Sequence, residues 1–147
     1  MTYSKNALTI VLTIIVIGLV ATIICLCVMP QPGKKFTEFY LLNQRGKATE
    51  YPDEVIVGQP ASVIAGVINH EGKPVTYTIQ IMSGGAIIKS VHTDILQDKQ
   101  KWENRIDLSL DTLGDRQRVE FYLYIDNEAV PHIKDPLVLM IDVVNPK

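Results

Sequence analysis

Charge is missing from a long part of this 147-residue chain: residues 7–29 hold no acidic or basic side chain, and all 16 carboxylates lie beyond residue 36. Cysteine is scarce as well. Cys25 and Cys27 are the only two, and both fall inside the uncharged stretch. The rest of the chain must therefore fold without a disulfide, and cysteine use does not reveal the compartment. Lys plus Arg number 14 against 16 Asp plus Glu, a net charge of −2. That balance excludes a nucleic-acid binder driven by basic charge. An apolar content of 47% excludes a disordered chain. A second long apolar run is lacking, which excludes a multi-span transporter.

The uncharged stretch reads ALTIVLTIIVIGLVATIICLCVM, residues 7–29. As a helix it measures roughly 34 Å at ~1.5 Å per residue, enough for a hydrocarbon core of about 30 Å. Fourteen of its 23 residues are Leu, Ile or Val, which together favour insertion by roughly 4–8 kcal/mol. Its three Thr subtract little, because a Thr hydroxyl bonds back to its own helix carbonyls. The run is longer than a secretory signal core, and no small-residue cleavage site follows it. Ile24 before Cys25 and Leu26 before Cys27 do not suit a lipoprotein site, and residues 5–7 make a poor pilin-type leader. The expectation is an uncleaved transmembrane anchor in contact with the lipid bilayer, preceded by a short tail, residues 1–6. Gly18 and Thr22 have the small-x-x-x-small spacing that permits close helix contact, so they are the candidate helix–helix residues. Basic residues alone, Lys5 before the helix against Lys34, Lys35, Arg45 and Lys47 after it, would place the C-terminal part in the cytoplasm. A short tail ahead of a signal-anchor also permits export of a folded domain.

Pro30, Pro32 and Gly33 end the helix, and residues 30–35 form a linker with two lysines at the level of lipid headgroups. From Phe36 the hydrophobic period becomes two. Candidate strands cover residues 36–42, 54–57, 61–69, 75–82, 86–92, 102–110, 119–125 and 136–144. Turn clusters separate them at 44–47, 58–60, 70–74, 84–85, 111–115 and 126–128. Residues 94–101 are polar and read as loop or a short helical turn. Seven to nine short strands at about ten-residue spacing, with no intervening amphipathic helix, predict an all-β antiparallel sandwich over residues 36–147. Val, Ile, Leu, Phe and Trp102 at alternate positions supply its core. The fold class is thus an Ig-like β-sandwich preceded by a single transmembrane α-helix.

Chemistry is sparse. His70, His92 and His132 lack zinc-like spacing, and no Cys lies in the domain. Asp107 and Ser109 share a strand face, and with Asp111, Gly114 and Asp115 they lack the EF-hand spacing of a calcium loop. Nucleophile-elbow, phosphate-loop and dinucleotide motifs are absent. No cofactor, metal or catalytic residue is expected, and no enzyme. Asn69 reads as a turn-stabilising residue with solvated neighbours. Tyr122 and Tyr124 share the polar face of one strand, and exposed tyrosine is enriched at binding surfaces, so they are the candidate binding residues.

Residues 36–81 carry a Phe-Thr-Glu-Phe-Tyr start, Tyr51-Pro52, a Gly58-Gln59-Pro60 turn and an Asn69-His70-Glu71-Gly72 strand end. This stretch resembles a family of archaeal membrane proteins known only by a domain of unknown function. The resemblance implies an extracytoplasmic Ig-like domain and no known chemistry. The expected role is a single-pass, membrane-anchored interaction protein of the cell envelope, or an accessory subunit of a membrane complex. Its partners would be other membrane or cell-surface proteins, or copies of itself. The alternative is a pilin-like filament subunit whose apolar helix lies in the filament core.

Overall fold

The computed structural model describes residues 5–28, 33–126 and 128–147. The chain forms two compact units, Met1–Gly33 and Lys34–Lys147. Residues 1–4 of the expected tail, Met29, residues 30–32 of the expected linker and Asn127 of the 126–128 turn lie outside the described residues. The first unit contains α1 (Lys5–Val28), with no buried residue. Apolar side chains cover every face of it, and it is long enough to span a membrane. The hydroxyls of Thr9, Thr13 and Thr22 donate to the carbonyls of Lys5, Thr9 and Gly18 at 2.8–2.9 Å, so each threonine hydroxyl is satisfied within the helix.

The second unit is a β-sandwich. Its strands are β1 (Phe36–Leu42), β2 (Glu54–Ile56), β3 (Pro60–His70), β4 (Tyr77–Ser83), β5 (Ala86–His92), β6 (Lys101–Ser109), β7 (Gly114–Ile125) and β8 (Leu137–Val144). One sheet has the order β1-β3-β6 and the other β2-β8-β7-β4-β5. Alternate residues of both sheets point inward. Val63, Ala65, Val67, Ile106 and Leu108 meet Ile79, Ile81, Val119, Phe121, Leu123 and Ile141, all buried. Each of the larger side chains contributes roughly 1.5–3 kcal/mol of transfer free energy. Trp102 lies half-buried against this core rather than within it.

Three details depart from simple alternation. β2 pairs with β8 in parallel, the one such pair among the described strands. No crossover helix is needed, because most of the domain lies between these two strands in sequence. β4 begins at Tyr77 rather than Val75, which keeps only an isolated bridge to Leu96. Between them, the backbone N–H and hydroxyl of Thr76 both donate to Asp126 Oδ1 at 3.2 and 2.9 Å. β7 begins five residues before the alternating run, through a bulge between Gly114 and Gln117 with Arg116 at φ 48°. The expected hairpin at Gly84-Gly85 is present, with both residues at positive φ (57° and 81°), a conformation glycine adopts without strain.

The open side of the sandwich between β5 and β6 is guarded by a charge. Pairing of Lys89 with Ile81 turns its side chain inward, and its Nζ donates to the Asp107 carbonyl on β6 at 2.7 Å. An inward-pointing lysine on an edge strand resists pairing with another chain. With Ile87 and Ile88 already exposed on β5, Lys89→Val is expected to promote self-association. Light scattering of the detergent-solubilised chain would then show mass rising with concentration beyond the parent protein; identical profiles would remove this role from Lys89.

Candidate interaction face

The outer face of the five-stranded sheet gathers the residues best suited to binding. Tyr122 and Tyr124 alternate with buried Val119, Phe121, Leu123 and Ile125 along β7, so both point outward. Cross-strand pairing sets Tyr124 beside Thr78 and Tyr122 beside Gln80. Beyond them lie His92 and Ser90 of β5. Farther along the same face Met82 pairs with Ile87, and Glu120 pairs with Val138. Met140 sits opposite Arg118. Ile87, Val138 and Met140 are exposed, and both tyrosines are half-exposed. Polar groups between them are held in place: Thr78 Oγ1 and His92 Nδ1 are 2.9 Å apart, and Arg118 donates to Glu120 at 2.7 Å. The result is a sheet face of aromatic rings and apolar side chains with hydrogen-bonded polar neighbours, a composition common in protein interfaces.

Gly18 and Thr22 lie one turn apart on α1, and the Thr22 hydroxyl is already engaged by the Gly18 carbonyl. A methyl group at Gly18 would meet no other side chain.

The outer face of the three-stranded sheet is different. Tyr40 of β1 lies across Gly66 of β3, and its hydroxyl donates to Glu103 Oε1 on β6 at 2.7 Å. One side chain thereby bridges all three strands. Lys101 also reaches Glu103 at 2.8 Å, and with Tyr40 it holds that carboxyl below its usual range. Burial and the Glu103 carboxylate raise the Tyr40 hydroxyl. Next along the face, Ser62 donates to Asp107, and Arg105 donates to both. These bonds keep the Asp107 carboxyl low. Asp107 is therefore engaged within its own sheet.

A buried polar cluster closes one end of the sandwich. Asn69 is fully buried. Its amide nitrogen donates to the carbonyls of Lys73 (2.7 Å) and Leu96 (2.8 Å), and its oxygen accepts from the Glu71 N–H (2.8 Å) and the Tyr77 hydroxyl (3.3 Å). Glu71 is only 8% exposed. Its Oε1 accepts from the Thr37 hydroxyl at 2.8 Å and stands 3.0 Å from His132 Nε2. Thr37 and Tyr77 hydroxyls are 2.9 Å apart, and burial raises the latter. Glu71 is thus not the solvated neighbour that the turn composition suggests, because the loop after β7 folds over it. His132 lies 61 residues away, and no local signal announces the contact. At the surface beside this cluster, His70 Nε2 is 2.9 Å from Glu38 Oε1 and its ring stacks on Phe36 with centroids 4.5 Å apart. Among the described residues no three His, Cys, Asp or Glu side chains gather as metal ligands.

The sandwich is similar to the CARDB domain of the PF1109 protein of Pyrococcus furiosus, whose crystal structure was determined in complex with di-metal ions. The likeness has a TM-score of 0.51 and 17% identity, and covers 76% of this chain and 97% of that one. The solution structure of the same domain gives 0.50 and 17%, with 75% and 97% covered. These likenesses establish the β-sandwich fold. No curated protein matches the sequence. Residues 30–139 match the sequence family described as a domain of unknown function, DUF1616. That match spans most of the sandwich, and with it the chain belongs to the DUF1616 family.

Proposed function

We propose that this protein is a single-pass, membrane-anchored interaction protein of the cell envelope that presents its sandwich outside the membrane, as an accessory subunit of a membrane complex. The observation that carries this reading is the direct succession of an all-round apolar helix and a β-sandwich with an aromatic, apolar outer face. The resemblance of residues 36–81 to archaeal membrane proteins supports the extracytoplasmic placement. The reading is one of binding, not catalysis, with partners in or beside the same membrane. Protease added to intact cells should remove the domain while leaving α1 protected; a domain that resists until the cells are lysed would overturn the placement.

The outer face supplies the second test. Tyr122→Ala with Tyr124→Ala removes two half-exposed rings that lie outside the buried core. The double variant is expected to reach the membrane with near-parental melting behaviour yet lose the proteins that co-purify with the parent from native membranes. A co-purifying set indistinguishable from the parent's would exclude this face as the contact surface.

A further inference from the structure

The end of the sandwich that receives the chain from α1 carries exposed apolar side chains that the core does not use. Three segments converge there. β1 starts at Phe36, opposite His70. The 93–100 loop is fastened by Asn69 to Leu96, by Lys99 N–H to the Asn69 carbonyl, and by the Val75–Leu96 bridge. The 126–136 loop is fastened by Asp126 to Thr76, by His132 N–H to the Leu123 carbonyl, and by His132 to Glu71. From these three segments Phe36, Ile95 and Val130 stand out 47%, 62% and 69% exposed. Hydrogen bonds to the strands hold both loops, and the two apolar tips project from them.

Chain length limits where this end can be. Only seven residues separate Val28 from Phe36, a reach of at most about 29 Å at ~3.6 Å per residue. Two of them are the exposed Lys34 and Lys35, placed ahead of the Phe36 ring. Lysine and aromatic side chains in this order suit the headgroup layer of a bilayer. The same end also bears Lys73, Lys99 and Lys134 along with Asp94, Asp98, Glu128 and Asp135. Its charge is mixed, so the contact depends on apolar insertion rather than on anionic lipid. The geometry points to a lipid-resting surface: Phe36, Ile95 and Val130 dip into the headgroup layer of the membrane that holds α1. This rests on α1 spanning that membrane.

The test uses the full chain with Cys25→Ser and Cys27→Ser, one copy per phosphatidylcholine nanodisc, and single nitroxide labels at residues 16, 95, 113 or 130. Leu113 serves as the reference, because it is a 48% exposed apolar side chain in the turn before β7, at the opposite end of that strand from the 126–136 loop. Labels at 95 and 130 are expected to be at least about threefold less accessible to an aqueous nickel chelate than the label at 113, as interfacial burial requires. Equal accessibility at 95, 113 and 130, with residue 16 shielded, would overturn the surface but leave the anchor intact. An accessible residue 16 would overturn the spanning helix and the surface with it. Because each disc holds one copy, shielding at 95 and 130 cannot come from a second chain.

Discussion

Asn69→Ala is expected to destabilise the sandwich by roughly 3–4 kcal/mol, since each buried polar group left without a partner costs about 1–3 kcal/mol. The substitution strips partners from the carbonyls of Lys73 and Leu96, the Glu71 N–H and the Tyr77 hydroxyl. Tyr77 retains Thr37, and the Leu96 carbonyl retains the Val75 N–H. The Lys73 carbonyl and the Glu71 N–H lose the side-chain partner that Asn69 supplied. Asn69→Asp offers a sharper comparison. It keeps the oxygen that accepts from Glu71 N–H, loses both donated bonds and sets a second carboxylate near Glu71, so it should also destabilise the fold. Urea unfolding of the detergent-solubilised chain, followed by Trp102 fluorescence, measures both. A cost below about 1 kcal/mol for alanine, the scale of one ordinary hydrogen bond, would show that the cluster contributes no more than a surface turn.

Gly66→Ala is expected to cost about 1–3 kcal/mol, the range for forcing an extra methyl into a packed site. A β-carbon at residue 66 would lie 2.2 Å from Tyr40 Cζ and 2.6 Å from its hydroxyl oxygen. The tyrosine must then swing away, giving up its cover over the strand and its bond to Glu103. A glycine inside a strand otherwise weakens it by roughly 0.5–1 kcal/mol relative to alanine. The sign should therefore invert in a Tyr40→Ala background, where Gly66→Ala becomes neutral or stabilising. The four proteins of this cycle, compared by urea midpoint, isolate the ring-on-glycine contact. An equal cost of Gly66→Ala with and without Tyr40 would refute it.

Period-two alternation made the eight strands and the two-sheet fold legible, because each inward Val, Ile or Leu leaves a local mark. The contacts that close the structure leave none. Tyr40 alternates correctly on β1, but nothing nearby says that it lies over Gly66. Asn69-His70-Glu71-Gly72 has the composition of a solvated turn, and only the distant loop bearing His132 buries its carboxylate. The parallel β2–β8 pair and the bulge at the start of β7 escape for the same reason, since both follow from partners far along the chain. Tyr122 and Tyr124 were legible as outward-facing. Their neighbours Met82, Ile87, Val138 and Met140 come from three other strands and join them only in the folded sheet.

The first strand after α1 is an edge strand joined antiparallel to β3 from Phe36↔His70 onward, so any tension passed along residues 29–35 arrives at that first rung. Loaded there, β1 would peel one pair at a time, the mechanically weak direction for a sheet. The Thr37 hydroxyl stands at the second rung with bonds to Glu71 and Tyr77. Peeling past that rung must break these two side-chain bonds as well as the ladder bonds of the strand.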